Sequence, residues 1–588
     1  MDHNRRNLIA QWAFDTKSIL GRFHLWLEDV EERWIEGGPR EELSFVGAHL
    51  EKNFIMTAAV TALGTRLFGR YGEGKGQPKA SLNRIKKDAD AVSAYAMSEA
   101  LWFLTRRLPE KHAVMVSLGE GLMPKAGETP EQGSNPLLGF GRVYARPEVA
   151  RHLDRLVRKL INEKGYGWDA FWKEVQSAGI TIWGAAIDTL ENTSRFAKGD
   201  ETGPMTVLHL FDQPLMVTRP YEGYMGYLAL PRAVVETAAN RSVLLNYRTP
   251  RALVLEAIEA THPGIRPERV HVWTLGGRAR EPRIGSLWKE WRDLGAHLVE
   301  EGWTLPGGGQ AFTESGTYAP TARIGSFEDG EGRTHVFLCD GYAATAEAIQ
   351  AASLDPVLDV QTSMCVFSSR FDAPWERERD LMRLDPAADG FEGFLSRTLG
   401  REITTGDVDA YRSILMDARD AAMPLDKPTV TVDDFFPNKR WRVLALAGYM
   451  LPDPYSGARG VEETMPQSYR VTTTAATRSG LLEVTLQLRL LETREQSRLV
   501  FSPLLDRFFA GEDFRRRPVK ISDSGRIRNE IQTWCSWALE SFGDGGIRIH
   551  FDRIDDEVVP RDKQDLIREV LAWYKENHPI WFRWLEID

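Results

Sequence analysis

The segment SVLLNYRTPRALVLEAIEATHPGIRPERVHVWT, residues 242–274, carries the pattern from which we predict the fold. Its two ends, Ser242–Tyr247 and Arg269–Thr274, are mainly apolar and contain β-branched and aromatic residues, which is typical of buried strands. Between them, Thr249-Pro250 combines an N-cap residue with proline at the first helical position, and this predicts a helix over Arg251–Thr261. A strand, a crossover helix and a second strand predict a parallel pair.

Further strand-like runs alternate with helical stretches through the middle of the chain. The predicted strands are Ile180–Ile187, Val207–Phe211, Val243–Tyr247, Val270–Leu275, His335–Cys339 and Val360–Phe367. A second crossover leads from Gly276-Gly277 through a predicted helix, Ser286–Glu301, to Thr334–Cys339 and the helix Ala343–Ala352. This alternation predicts an open α/β sheet over residues 165–375, of the doubly wound, Rossmann-like type with mostly parallel strands.

Different patterns flank this central sheet. Apolar residues at three- and four-residue spacings predict helices over 5–36, 41–68, 81–108 and Pro147–Glu163. Beyond residue 425, Trp441–Met450 is a largely apolar run, and the predicted elements are strands at Tyr469–Ala475, Leu481–Leu491 and Gly546–Phe551, with helices over 524–542 and 561–576. We therefore predict an N-terminal helical layer (1–112), a long Gly/Pro loop and helix (113–164), a central α/β domain (165–424) and a C-terminal α+β module (425–588).

Composition limits the class of protein. The chain has 588 residues, 42% of them hydrophobic, and a formal net charge of −10, so a folded protein is expected and generic binding to nucleic acid is not. The longest apolar run, Phe54–Gly64, has 11 residues, well short of the ~20 that span a membrane. With no secretory signal pattern, these features predict a cytoplasmic protein without a membrane partner.

Cysteine and histidine are sparse and scattered. The three cysteines, Cys339, Cys365 and Cys535, form no CxxC pair, so no zinc, haem or iron–sulfur centre is expected, whereas Mg²⁺ stays open as a cofactor. His209 and His271 are interpreted as lone strand residues, which more often satisfy a core or surface position than bind a ligand. We expect Cys339 to be buried and inert.

In a parallel sheet, ligands bind at the carboxyl ends of the strands, where loops meet helix N-termini. Three loops carry glycines, hydroxyls or arginines suited to an anion. Their candidate substrate-binding residues are Thr274, Gly276, Gly277, Arg278, Arg280, Gly307, Gly308, Gly309, Thr313, Ser315, Ser368, Ser369 and Arg370. We expect these loops to converge with Asp340 on one cavity; ordinary strand exits with solvated side chains are the alternative.

Three residues are candidates for catalysis. Asp340 is placed between a strand and a helix, where a carboxylate could act as a base or accept a hydroxyl hydrogen bond, although aspartate is also a common N-cap. Glu120 and Lys125 belong to the Gly/Pro-rich stretch 119–141, where a lysine beside carboxylates could serve as acid, base or phosphate clamp. A solvated connector of the same composition would have the same sequence.

These features favour a cytosolic enzyme that binds a small anionic metabolite, phosphorylated or carboxylated, at the carboxyl ends of the central strands. An isomerase, a lyase and a transferase all fit. A non-catalytic scaffold that self-assembles through the helical N-terminus and the Trp-rich tail is the first alternative, and a homo-oligomer is left open. The second alternative is an atypical nucleotide-dependent ligase or synthetase, since the sequence contains no Walker A pattern.

Overall fold

The structure is a computed structural model. It describes residues 25–38, 48–105, 108–119, 138, 141–163, 165–213, 224–274, 281–306, 312, 317–366, 377, 380–381, 383–419, 429–436, 441–453, 456–477, 479–490, 539–542, 546–553, 561, 564–565, 568, 572 and 585–588.

Helices and strands are numbered in chain order within these ranges. The helices are α1 (Ala48–Phe68), α2 (Lys79–Thr105), α3 (Pro147–Asn162), α4 (Trp168–Ser177), α5 (Thr193–Lys198), α6 (Arg232–Asn240), α7 (Arg251–Thr261), α8 (Glu281–Asp293), α9 (Tyr318–Thr321), α10 (Thr345–Ala352), α11 (Asp355–Leu358), α12 (Phe391–Leu399) and α13 (Thr405–Arg419). The strands are β1 (Leu25–Gly37), β2 (His112–Gly119), β3 (Val143–Ala145), β4 (Thr181–Glu191), β5 (Met205–Phe211), β6 (Tyr224–Pro231), β7 (Val270–Trp273), β8 (His297–Leu298), β9 (Gly325–Glu328), β10 (Thr334–Ala344), β11 (Val360–Val366), β12 (Val443–Tyr449), β13 (Val461–Met465), β14 (Ser468–Thr477), β15 (Gly480–Leu490), β16 (Leu539–Phe542), β17 (Gly546–Ile549) and β18 (Leu585–Ile587).

The described strands form three sheets. The largest has nine strands in the order β1-β15-β14-β12-β5-β4-β2-β3, with β13 added beside β14. Among its pairs only β2 and β4 run parallel. This sheet joins strands from the start, the middle and the later part of the chain, and the predicted hairpin of β14 and β15 is confirmed.

The second sheet has six strands in the order β11-β6-β10-β7-β8, with β9 paired to β10. β6 lies antiparallel between β10 and β11, and only the pairs β10·β7 and β7·β8 are parallel. The doubly wound, mostly parallel Rossmann-like sheet that the sequence predicts is therefore wrong. The molecule is a mixed α/β protein with two mostly antiparallel sheets.

The first strand of the predicted crossover is also wrong, because residues 242–247 are not a strand. The Val243 amide donates to the Ala238 carbonyl at the end of α6, and the Thr249 hydroxyl accepts from the Asn246 amide. The Asn246 side chain in turn accepts from the Arg248 amide. These local bonds compete with a strand ladder and form a turn that leads into the predicted helix α7.

The N-terminal helix prediction fails where the structure describes that segment. Leu25–Gly37 is strand β1, paired antiparallel with β15, rather than the end of a helix over 5–36. Trp26, Val30 and Trp34 recur every four residues, and four is a multiple of the strand period as well as close to a helical turn. The helices predicted at 41–68 and 81–108 are present as α1 and α2.

The two large sheets stack with helices outside and between them. On the nine-stranded sheet, Leu444 and Gly448 belong to the face of β12 that meets α1; a Cβ at Gly448 would lie 2.5 Å from the Ala58 carbonyl oxygen. The opposite face shares one core with α10 and the inner face of the six-stranded sheet. Helices α6, α7 and α8 cover the outer face of the six-stranded sheet. Side chains on this inner face of the second sheet are therefore enclosed between layers.

Two smaller units complete the described chain. β16, β17 and β18 form a three-stranded sheet, in which β17 confirms the strand predicted at Gly546–Phe551. β16 occupies residues 539–542, where the sequence predicts a helix. Helices α12 and α13 share a small core of their own. In the ranges given above, no helix combines the length and the apolar character needed to cross a membrane.

Candidate functional site

Few of the residues predicted from sequence to form a site lie in the described ranges. Thr274 follows β7 and is buried, and Asp340 lies in β10. The others fall outside the described residues: Glu120, Lys125, Gly276, Gly277, Arg278, Arg280, Gly307, Gly308, Gly309, Thr313, Ser315, Ser368, Ser369 and Arg370. Their roles stay predictions.

Asp340 lies inside a strand and not at its exit, because β10 continues to Ala344. It has no exposed surface, and both of its oxygens accept from Arg251, at 2.7 and 2.8 Å. The indole of Trp291 donates to the same carboxylate at 2.6 Å. Arg251 also donates to the carbonyls of Tyr247 and Thr249. Asp340 is therefore held in a closed ion pair between the sheet and α7, and we do not retain it as a catalytic candidate.

The strand directions place the carboxyl ends of three strands at the same end of the six-stranded sheet. β7 and β10 are parallel, and β10 and β11 are both antiparallel to β6, so β7, β10 and β11 end at the same edge. This is the arrangement that convergence of the predicted loops requires. The loops after Trp273 and Val366 lie outside the described residues, so their convergence stays a prediction.

A different polar group occupies the inner face of this sheet: three histidines in a row across neighbouring strands. His335 is the second residue of β10, His271 the second of β7 and His297 the first of β8. They stand near the amino ends of these parallel strands, at the end of the sheet opposite to the predicted site. We call Asp329, His335, His271 and His297 together the histidine row.

Hydrogen bonds connect the histidine row from one end to the other. Asp329 Oδ2 lies 3.1 Å from His335 Nε2. His335 Nδ1 lies 2.9 Å from His271 Nε2, and His271 Nδ1 lies 2.9 Å from His297 Nδ1. The rings of His335 and His271 stack with centroids 5.2 Å apart. Each imidazole thus uses one nitrogen for each neighbour, and only His297 has a nitrogen, Nε2, outside these contacts.

Asp329 is fixed in the turn between β9 and β10. Its Oδ1 accepts from the backbone amides of Glu331 and Arg333, and its Oδ2 accepts from the Arg333 guanidinium at 2.7 Å. The amide and guanidinium of Arg333 hold the pKa of Asp329 far below its usual range. Asp329 is therefore a permanent anion at one end of the row.

This anion determines which nitrogen of each histidine carries the proton. A carboxylate only accepts, so His335 donates from Nε2, and a neutral His335 then accepts at Nδ1. His271 then donates from Nε2 and accepts at Nδ1, and His297 donates from Nδ1. This arrangement is the one with three neutral imidazoles. In it, the lone pair on His297 Nε2 is the one that accepts no hydrogen bond within the row.

Burial keeps the middle of the row uncharged. Trp303 covers it, with ring centroids 4.7 Å from His271 and 5.1 Å from His297. Burial, followed by the proximity of the other two histidines, lowers the pKa of His271 to about 3. Burial also lowers the pKa of the half-buried His297. At pH 7 His271 and His297 are therefore neutral, and the row has one partly exposed end at His297.

A fourth histidine, His209 of β5, lies on the facing sheet. It is fully buried, and its Nδ1 donates to the Ser353 hydroxyl at 2.7 Å, while that hydroxyl donates to the Gln350 carbonyl. Burial lowers the pKa of His209 to about 3. His209 is thus a neutral core residue, and its buried Nε2 has no hydrogen-bond partner among the described residues.

The depressed pKa of His209 gives a pH-dependent stability. The unfolded chain binds a proton at this histidine near pH 6.5, whereas the folded chain does so only near pH 3, so stability falls as the pH drops below 6.5. His209→Phe should therefore reduce the slope of the unfolding free energy between pH 6 and 5 by about 1.4 kcal/mol per pH unit. Urea unfolding at both pH values measures this slope, and equal slopes for the two proteins would show that His209 is not held neutral.

The histidine row is not predicted from the sequence, in which each histidine is a lone strand residue. A signal is nevertheless present: Val270–Trp273 reads VHVW and Thr334–Phe337 reads THVF, so two strands carry histidine at the same position before valine and an aromatic residue. In the parallel pair β10·β7 the register is shifted, with His271 opposite Phe337, so His335 and His271 lie on one face as diagonal neighbours. Only the sheet order supplies that adjacency.

Among the residues that the structure describes, no cluster of three or more His, Cys, Asp or Glu side chains is arranged to hold a metal ion. No protein-family model matches the sequence, and no curated protein matches it either.

Proposed function

We propose that the protein is an enzyme that exchanges a proton with a small substrate at His297, and that the histidine row takes up the resulting charge. The observation that carries this proposal is the unbroken series of hydrogen bonds from Asp329 to His297. A neutral imidazole with an open lone pair is the side chain best suited to general base catalysis near pH 7.

The proton balance of this step can be followed along the row. A substrate proton binds at His297 Nε2, and the proton on His297 Nδ1 passes to His271 Nδ1. The proton on His271 Nε2 then passes to His335 Nδ1, and His335 becomes a cation hydrogen-bonded to Asp329. The positive charge thus moves from the half-buried end of the row to the position beside the carboxylate, where it is most favourable. Reversal of the three transfers returns the proton to the product.

The substrate class expected from the sequence fits this chemistry. Once His297 has taken up the substrate proton it is a cation, which would stabilise the negative charge on a phosphorylated or carboxylated metabolite beside it. We therefore retain a small anionic metabolite as the proposed substrate, with the site moved from the carboxyl ends of the strands to the histidine row.

A proton-exchange screen tests this proposal. We would incubate the protein in D₂O with a panel of keto acids and sugar phosphates and follow deuterium incorporation or conversion by ¹H NMR. His297→Gln should slow the reaction of any active compound by about 10²- to 10⁴-fold, the usual contribution of a general base. His262→Gln, at a half-buried histidine outside the row, serves as the control and should react like the unmodified protein. A panel without any reaction, or full activity in His297→Gln, would refute the proposal.

A further inference from the structure

The helical pair α12 and α13 forms a unit with its own small core. The buried residues of this core are Leu381, Phe391, Leu395, Leu399, Val408, Tyr411 and Leu415. A groove of about 890 Å³ opens between the turn at 386–392 and one side of α13. No residue of the histidine row lines this groove, so it is a separate feature of the molecule.

The floor of the groove is apolar. Pro386, Phe391 and Val408 are buried beneath it, and Met416 lies beside them with 56% of its surface exposed. Large apolar side chains exposed to that extent are few in the described residues. An exposed methionine next to a concave apolar floor is a surface on which a large apolar side chain can be buried.

The rim of the groove is acidic. Asp389, Glu392 and Asp409 are all exposed, and none of them forms an ion pair with another described residue. The one cation in the lining, Arg412, is exposed but held against the groove: its Nε donates to the Pro386 carbonyl at 3.0 Å, and its guanidinium lies 5.3 Å from the centroid of the Phe391 ring. Three carboxylates therefore face solvent around an apolar floor.

We infer that this groove binds a short cationic amphipathic segment of a partner protein. A large apolar side chain of that segment would cover Phe391 and Met416, and its lysines or arginines would pair with Asp389, Glu392 and Asp409. The acidic rim repels nucleic acid and anionic membrane surfaces. A second copy of this chain carries a net charge of −10 and is disfavoured for the same reason.

A random dodecapeptide library displayed on phage, selected against the full-length protein, tests this inference. Enriched peptides should combine two or more lysines or arginines with a large apolar residue. Their affinity, measured by fluorescence polarisation of the synthetic peptides, should fall at least tenfold in the double variant Asp389→Lys/Asp409→Lys and in Met416→Glu. The changed residues are exposed, so the melting temperatures of these variants should match that of the unmodified protein.

The matched control is Glu402→Lys, which changes the charge of an exposed residue in the same helical unit but outside the groove. It should alter the affinity less than twofold, which separates binding at the groove from a general attraction of cations to an acidic protein. Enriched peptides that are acidic, that bind the groove variants and the unmodified protein equally, or that respond equally to Glu402→Lys would overturn the inference, as would the absence of any enriched peptide.

Discussion

Replacing Asp340 with leucine should lower the free energy of unfolding by about 3 to 5 kcal/mol, the largest stability effect that we expect from a single change. Asp340 and Arg251 are both almost completely buried, and the carboxylate satisfies the guanidinium through two hydrogen bonds. Removing the carboxylate leaves a buried cation without its counter-ion and leaves the Trp291 indole without its acceptor. The loss arises from these uncompensated groups and exceeds the net contribution of the pair itself.

Two further variants identify the origin of that loss. In Arg251→Leu/Asp340→Leu both charges are gone, so most of the lost stability should return. Asp293→Ala removes an exposed partner of Lys289 in the same helix as Trp291, and such a pair should contribute less than about 1 kcal/mol. The free energy of unfolding of all three proteins is measured by urea unfolding and by hydrogen exchange of the backbone amides in β10 and α7. A loss below about 1 kcal/mol in Asp340→Leu would contradict the buried ion pair.

Asp329→Asn should reduce the rate of proton exchange by about 10²- to 10⁴-fold while the fold is retained. Asparagine keeps the size of the side chain but removes the charge that makes His335 donate from Nε2. The row then loses both its fixed tautomers and the anion that stabilises a transferred proton. The measurement is the deuterium-exchange rate as a function of pH, and its acid limb should move to lower pH, since protonation of the row becomes less favourable.

The control for this variant is Glu331→Gln in the same turn. Glu331 contributes its backbone amide to Asp329, and its carboxylate pairs with the Arg333 guanidinium, so the change leaves the contact between Asp329 and His335 in place. Its rate and pH profile should follow those of the unmodified protein. If Asp329→Asn keeps both the rate and the profile, Asp329 has no part in proton transfer.

Sequence patterns predict no more than half of the described strands, and they do not predict which strands are neighbours. The predictions for β4, β5, β7, β10, β11, β14 and β15 are confirmed because each run is rich in strand-forming residues and short enough to be a strand. Tyr224–Pro231, which reads YMGYLALP, was not predicted, and it becomes β6 between β10 and β11. β6 makes its pairs with β10 and β11 antiparallel, and β4 and β5, predicted for the same sheet, pair antiparallel with each other in the nine-stranded sheet.

The surroundings of Asp340 also depend on strand order and strand bounds that the sequence does not show. Asp340 was placed at a strand exit because β10 was predicted to end at Cys339, whereas β10 continues for five more residues to Ala344. The partner that closes the site, Arg251, is 89 positions away in the sequence. The histidine row likewise joins residues from three strands and a turn, and their contact follows from the sheet order and not from any local pattern.

Asp329 orders the three histidines into one directional chain of hydrogen bonds. Nitrogen-15 NMR of protein labelled at histidine measures it directly, because the shifts of the two ring nitrogens report which one carries the proton, and single His→Gln variants assign the signals. At pH 7 we predict a proton on Nε2 of His335 and of His271 and on Nδ1 of His297, with these tautomers becoming mixed in Asp329→Asn. A charged His271 at pH 7, or a His271 protonated on Nδ1 alone, would contradict the account.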